Sequence, residues 1–268
     1  METVHVTELL SFFGNGATNP IHAVANNSRY ILKLFNNPEG NKVLVNEWIC
    51  YHIAKQLELP IPDAILGVVD LNTRIDPAIL SDEDFSDDCY GIAFCSKLLD
   101  PATTINSAKM IITSNNYQWL LPKLMLFDHL IYNKDRNKGN LLISLSKTNK
   151  NLYIIDHSHT FNLEAIWNST GLSQKIEDND YMDTTIMDGN WYQYSNFKKY
   201  VKIDIVEMVN TITYFKERLS VDFFYSLIEK VPDVWENDKD ELVALINYLI
   251  YRMEHLEDFA NIIINSKY

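Results

Sequence analysis

Cysteine is scarce in this chain: Cys50, Cys89 and Cys95 are the only three, at irregular spacing. An odd count without a paired motif argues against a disulfide framework and against a zinc site. It fits a reducing, cytoplasmic setting. A basic excess is also missing, since 23 Lys+Arg face 36 Asp+Glu for a net charge of −13. Nucleic acid and anionic membranes both reward positive charge, so neither is an expected partner. A small basic pocket remains compatible with that balance. Long apolar runs are absent too. The most apolar stretch, Trp119 to Phe127, is interrupted by Pro122 and Lys123, and a spanning helix needs ~20 apolar residues. Met1 to Leu10 carries Glu2, His5 and Glu8, unlike the basic start and apolar core of a signal peptide. There is no internal repeat and no low-complexity tract. What remains is 47% hydrophobic and 22% charged residues, an ordinary globular balance. The 268 residues suit one large domain or two lobes.

The first third reads as strands around one helix. Val4 to Phe13 is apolar and ends in the turn-rich Gly14-Asn15-Gly16-Ala17-Thr18-Asn19-Pro20. Ile21–Ala25 and Tyr30–Phe35 read as two strands joined by Asn26-Asn27-Ser28. The second carries Lys33, one charge inside an apolar run, which costs energy unless something pairs with it. Asn41 to Leu57 reads as a helix with Val45, Ile49, Ile53 and Leu57 on one face and Glu47 inside it. Ala64–Val69 and Tyr90–Phe94 read as further strands, and Asp76–Asp88 as a solvated acidic loop.

Beyond Asp100 the pattern turns helical. Tyr117–Asn133 is a helix candidate, and Leu141–Ser144 with Leu152–Ile155 form a hairpin pattern. Glu164–Tyr194 reads as mixed and loop-rich. Helices are expected near Ile203–Leu219, Val221–Lys230 and Asp238–Asn265, the last with an apolar stripe that reads as core packing.

One segment stands out chemically. Asp128 to Ile143 is a helix end, a polar loop Asp135-Arg136-Asn137-Lys138-Gly139-Asn140 and a strand start. A second strand then opens into Asp156-His157-Ser158. Loop, hairpin and acidic turn is the layout of a phosphoryl-transfer site, where an Asp holds the acceptor while an Asn and a second Asp hold Mg²⁺. Mg²⁺ is a hard ion that prefers oxygen ligands. A further carboxylate can orient a hydroxyl and take its proton. A fixed cation must meet the phosphates, and Lys33 is the candidate, with Glu47 as its ion-pair partner.

Gly14 to Thr18, Lys33, Glu47, Asp135 to Asn140 and Asp156 resemble, in that order, the protein-kinase-like superfamily. More closely, the chain resembles the HipA-like kinases of bacteria. That resemblance implies an α+β, two-lobed protein-kinase-like fold. Residues 1–97 would be a nucleotide-binding lobe, a mainly antiparallel sheet plus one helix. Residues 98–268 would be a mostly helical catalytic lobe. It implies ATP and Mg²⁺ as cofactors. Gly14, Asn15, Gly16, Ala17 and Thr18 would cover the phosphates, Lys33 would contact them, and Asp135 would be the catalytic aspartate. Asn140 and Asp156 would hold the metal. Ser96-Lys97-Leu98 would form the hinge whose backbone meets the adenine. Arg136, beside Asp135, would clamp a phosphate or pair with a carboxylate of the activation segment. The implied acceptor is a protein Ser/Thr, with room for an antitoxin partner. A small-molecule or lipid kinase and a catalytically silent binding module are the other readings.

The chain departs from the eukaryotic pattern. Asn19 stands where the third loop glycine would be, His157-Ser158 replaces Phe-Gly, and Asn133-Lys134-Asp135 replaces His-Arg-Asp. These changes point to the atypical kinases. Taken singly, Gly14-x-Gly16 is an ordinary turn, Lys33 an edge charge, Glu47 a helix-surface carboxylate and Asp156 a turn residue. The set in order carries the reading. His129, His157 and His159 lack zinc spacing. Cys50 reads as buried and inert, and Trp191, Tyr192 and Tyr194 as packing residues.

Overall fold

The computed structural model describes residues 2–14, 16–146 and 148–266. Strand β1 (Val4–Phe12) points Val6 and Leu9 inward and returns as β2 (Ile21–Ala25) and β3 (Ser28–Lys33). The β2–β3 turn puts Asn26 and Asn27 at φ +46° and +57°. Two positive φ values match the twist of a tight hairpin, and asparagine tolerates them. Helix α1 (Lys42–Gln56) follows, then β4 (Ala64–Val69), β5 (Arg74–Ile75), α2 (Pro77–Leu80) and β6 (Gly91–Lys97).

The sheet runs β2-β3-β6-β4-β1-β5, and β1 also pairs with β2. Five strands therefore close on themselves. The pairings are antiparallel except for the parallel contacts of β1 with β4 and β5. This differs from a simple antiparallel sheet. Closure removes the edges that an open sheet would expose. The interior holds Val6, Leu9, Ile21, Ala23, Leu32, Ala93 and Cys95. It is so narrow that a Cβ on Gly67 would lie 2.5 Å from Cys95 Sγ and 2.7 Å from Val6 Cγ2.

The expected acidic loop is partly ordered. Asp76 caps α2 through the Ala78 amide, and Ile79 is buried. This single apolar turn sits inside an acidic stretch and buries one anchor, too short for a periodicity to reveal it.

The remaining elements are β7 (Ala102–Thr104), α3 (Ala108–Ile111), α4 (Tyr117–Leu130), β8 (Leu141–Ser144) and β9 (Leu152–Ile154). They are followed by α5 (Ser169–Glu177), α6 (Thr185–Gly189), α7 (Trp191–Tyr200), α8 (Ile205–Arg218), α9 (Val221–Ser226), α10 (Lys239–Glu254) and α11 (Leu256–Asn265). Strands β7, β8 and β9 form a second, antiparallel sheet. Two expectations change here. The stretch read as loop-rich carries α5 to α7. The one long C-terminal helix is two, broken at His255, which stacks on Tyr181 with centroids 3.6 Å apart.

Helix α1 has ten of its 15 residues buried, more than one face. Val43, Leu44, Ile49 and Ile53 share a core with Leu66 and Phe94 of the barrel wall and with the C-terminal helices. The helix is thus held from both sides, and this fixes where Glu47 sits.

His129 on α4 is fully buried, with a hydrogen bond between Nδ1 and Met125 O (2.8 Å). Burial pushes its pKa down to about 3. The unfolded chain takes up this proton near the ordinary value of 6.5, and the folded chain does not. Stability is therefore expected to fall as pH drops from about 6.5 toward 3. His129 alone accounts for about 1 kcal/mol between roughly pH 6.5 and 5.5. Urea unfolding across that interval measures it, and a flat profile would contradict it.

Candidate active site

Lys33 is the last residue of β3, paired with Phe94 of β6. Its side chain is buried, and Nζ donates to Glu47 Oε1 (2.5 Å), Asp156 Oδ1 (2.8 Å) and Ser158 Oγ (2.5 Å). These partners come from α1 and from the turn after β9. Asp156 has φ +60°, a left-handed conformation that aspartate tolerates, and the turn aims its carboxylate back at β3. Burial opposes the charge on Lys33, but the carboxylates of Asp156 and Glu47 outweigh it and hold its pKa above the ordinary value. Reciprocally, the Lys33 charge holds Asp156 well below the usual carboxylate range. The result is a fixed cation flanked by an anion that stays ionised.

The loop before β8 is built from side-chain amides. Asn133 Oδ1 accepts from the Asp135 amide (2.9 Å). Asn137 Oδ1 accepts from the Gly139 amide (2.7 Å), starting a short 3-10 turn over Lys138–Asn140. Asp135 is exposed. Its Oδ1 accepts from Asn137 Nδ2 (2.9 Å) and its Oδ2 from Asn140 Nδ2 (3.2 Å). Asn140 Nδ2 also donates to the Asp135 carbonyl (2.8 Å). With its nitrogen so held, Asn140 presents Oδ1 as the open acceptor.

Asn140 and Asp156 are brought close through their backbones, because the Ile155 amide donates to Asn140 O (3.3 Å). Among the described residues, neither Asn140 Oδ1 nor Asp156 Oδ2 has a hydrogen-bond partner. One neutral and one anionic oxygen fit Mg²⁺, which keeps several waters and phosphate oxygens when it binds. No cluster of three His, Cys, Asp or Glu suited to a metal occurs among the described residues. A metal held by Asn140 and Asp156 would leave coordination positions open to water and phosphate oxygens.

Arg136 does not face the cleft, and its expected phosphate clamp is corrected. It is 1% exposed. Its Nε and Nη2 donate to the Asp128 carboxylate, with Nη2–Oδ1 at 2.8 Å. Nη1 donates to the carbonyls of Asn140 (2.8 Å) and Ile155 (3.2 Å), and Nη2 also donates to His157 Nε2 (3.1 Å). The guanidinium therefore staples the loop of Asp135 to the strand that ends at Asp156. Burial, reinforced by the Arg136 charge, keeps the pKa of His157 well below its ordinary value, which suits its acceptor role.

The hinge expectation is corrected as well. Ser96 and Lys97 lie within β6, and Ser96 is paired on both sides, with Ile31 and Ala64. The Lys97 and Leu98 amides already donate to Asp63 O (2.7 Å) and Arg29 O (2.9 Å). The segments that flank β6 use the donors that an adenine would need there. Gly14, Gly16, Ala17 and Thr18 form the β1–β2 connection, with Gly14 at φ +70°, while Asn15 lies outside the described residues. The Thr18 carbonyl accepts from Asn37 Nδ2 (2.9 Å), and Asn19 Nδ2 donates to Asp84 Oδ2 (2.7 Å).

Several site residues carry no strong local signal. Ser158 Oγ lies 3.0 Å from Glu47 Oε1 and 3.2 Å from Asp156 Oδ1. Its adjacency to Asp156 was the available hint. Asn46 Nδ2 donates to Ser158 O (2.6 Å) and Glu164 O (2.9 Å), while its Oδ1 accepts from Trp167 Nε1 (2.8 Å). This ties α1 to the segment after Asp156. Asn190 grips the loop of Asp135, accepting from the Arg136 amide (2.6 Å) and donating to Asn133 O (2.7 Å). Tyr194 is buried and donates to Asp128 Oδ2 (3.0 Å), whereas Trp191 and Tyr192 are exposed. Cys50 is buried, and burial raises its thiol pKa well above the ordinary value.

The chain is similar to a proinflammatory kinase, CtkA, of Helicobacter pylori. The TM-score is 0.63 at 14% identity, over 98% of each chain. It also aligns with HipA of Shewanella oneidensis MR-1, solved with HipB and operator DNA, at TM-score 0.42 and 13% identity. That alignment covers 97% of this chain and 66% of that one. A search of curated protein sequences finds no match. A family model for HipA-like kinases matches residues 6–261. With the match running across barrel, the loop of Asp135 and the C-terminal helices alike, the chain belongs to the HipA-like kinase family.

Proposed function

We propose that this chain is an ATP- and Mg²⁺-dependent kinase that transfers the γ-phosphoryl group to a hydroxyl, with a protein Ser/Thr as the acceptor. The observation that carries this reading is the meeting of Lys33, Glu47 and Asp156, from strand, helix and turn, at 2.5 and 2.8 Å. Residues 1–97 hold the nucleotide from one side and residues 98–268 supply the catalytic loop from the other. Lys33 neutralises the phosphates, Asn140 Oδ1 and Asp156 hold the metal, and Gly14 to Thr18 cover the phosphates. Bound Mg²⁺ would supply charge stabilisation for the transferred group. Asp135 orients the acceptor hydroxyl and takes its proton. Its two oxygens are fixed by Asn137 and Asn140, so little reorganisation is needed when the acceptor arrives. The exposure of Asp135 supports an acceptor presented from a macromolecular surface.

Mg·ATP is expected to raise the unfolding midpoint, since a ligand that binds only the native state adds about 2.7 kcal/mol at a hundredfold excess over Kd. Asp156→Ala should lose that shift and phosphoryl transfer together. Radiolabelled ATP offered with protein and with small-molecule fractions identifies the acceptor class. A wild-type chain with neither shift nor transfer would overturn the reading. A shift without transfer to any fraction would make it a silent binding module.

A further inference from the structure

An ammonium has three N–H donors, and Lys33 uses all three within the protein, on Glu47, Asp156 and Ser158. To meet a phosphate it must release one. Glu47 and Ser158 are buried, with the Glu47 side chain 5% exposed, while the Asp156 side chain is 43% exposed. Asp156 is therefore the partner on the open side, and its bond to Lys33 is the one that yields. Releasing it strips Asp156 Oδ1 of a charged donor. A carboxylate oxygen left without a donor in a partly closed site is costly.

Ser158 stands where that cost can be met. Its hydroxyl accepts from Lys33 at 2.5 Å and has one proton to give. Two acceptors lie within reach, Glu47 Oε1 at 3.0 Å and Asp156 Oδ1 at 3.2 Å. When Lys33 stays on Asp156, the hydroxyl proton serves Glu47. When Lys33 leaves for a phosphate, the proton swings to Asp156, and Glu47 keeps Lys33. No carboxylate oxygen of the pair loses its last donor in either arrangement. Glycine or alanine at this position cannot do this.

We infer that Ser158 is a positioning residue whose hydroxyl exchanges its donor bond between Glu47 and Asp156, freeing Lys33 to bind the phosphates of the nucleotide. The inference rests on the kinase reading above and adds a residue to that site. Its signature is selective, because only ligands with phosphates draw Lys33 away from Asp156. Adenosine makes no such demand.

The test compares adenosine and Mg·ATP binding to wild type, Ser158→Ala and Ser158→Thr by NMR titration. In Ser158→Ala the Lys33 N–H that loses its partner points to the buried side and not to the phosphates, so Asp156 must still be released, and Mg·ATP is expected to bind about tenfold more weakly, while adenosine stays within about twofold. Ser158→Thr, which keeps the hydroxyl, should restore the ATP affinity. Equal weakening of both ligands would mark a structural role and overturn the inference, as would unchanged ATP affinity. Should the alanine chain not fold, Ser158→Cys, of similar volume but a weak donor, is expected to give the same split and is judged by the same outcomes. If wild type binds neither ligand, the kinase reading falls and this inference with it.

Discussion

Replacing Asp135 with alanine is expected to cut phosphoryl transfer by roughly 100- to 10 000-fold, the range for loss of a positioned general base, while Mg·ATP still binds. The two effects separate for a structural reason. Asn140 Nδ2 donates both to the Asp135 carboxylate (3.2 Å) and to the Asp135 carbonyl (2.8 Å). Removing the side chain leaves the shorter, backbone bond in place. The Asn140 amide thus keeps its orientation, and Oδ1 remains available as a metal ligand. Initial rates at saturating Mg·ATP, together with the thermal shift, check both halves. Normal transfer by Asp135→Ala would remove Asp135 from the catalytic role. A lost thermal shift would mean that its side chain organises the nucleotide site instead.

Arg136→Met is expected to destabilise the chain by about 3–5 kcal/mol, the cost of leaving one member of a buried ion pair without its partner. Asp128 is fully buried and would keep only the neutral donors Asn133 and Tyr194. The carbonyls of Asn140 and Ile155 would lose a charged donor too. Arg136→Lys retains a charge but not the fork that reaches Asp128, both carbonyls and His157 at once, so it should recover only part of the loss. Combining Arg136→Met with Asp128→Leu should recover more, because the orphaned carboxylate is gone. Urea unfolding of the four chains measures these differences. If Arg136→Met were as stable as wild type but lost nucleotide affinity, Arg136 would belong to the cleft after all.

The helix around Glu47 was legible because its apolar residues recur at helical spacing. The hairpin of β8 and β9 was legible because two short apolar runs flank a polar turn. Lys33 was conspicuous as a charge in an apolar strand, and the structure brings it to Glu47 as its spacing suggested. Arg136 misled because adjacency to Asp135 says nothing about which way a side chain turns. Successive residues of an irregular loop can point to solvent and to the interior. Asp135 and Arg136 do so here. Residues 164–194 misled for another reason. Helices α5 and α6 are one to three turns long, too short for a period to emerge.

The amino-acid sequence by itself determined the kind of protein this is. The order of strands and helices, the loop from Asp135 to Asn140 and the acidic turn at Asp156 are local patterns, set by side-chain period and turn chemistry over a few neighbouring residues. Tertiary structure alone decided the rest. The parallel contact of β1 with β4 closes the barrel, and the seating of β6 between β3 and β4 occupies the backbone donors of Lys97 and Leu98. Stacking on Tyr181 accompanies the break at His255 in an otherwise continuous apolar stripe. Asn190, between α6 and α7, reaches the loop of Asp135, and Tyr194 of α7 reaches Asp128 of α4. Each is a contact between segments far apart in the chain, where no local period or turn preference records the partner. Only packing and the demand that every buried polar group be bonded select it.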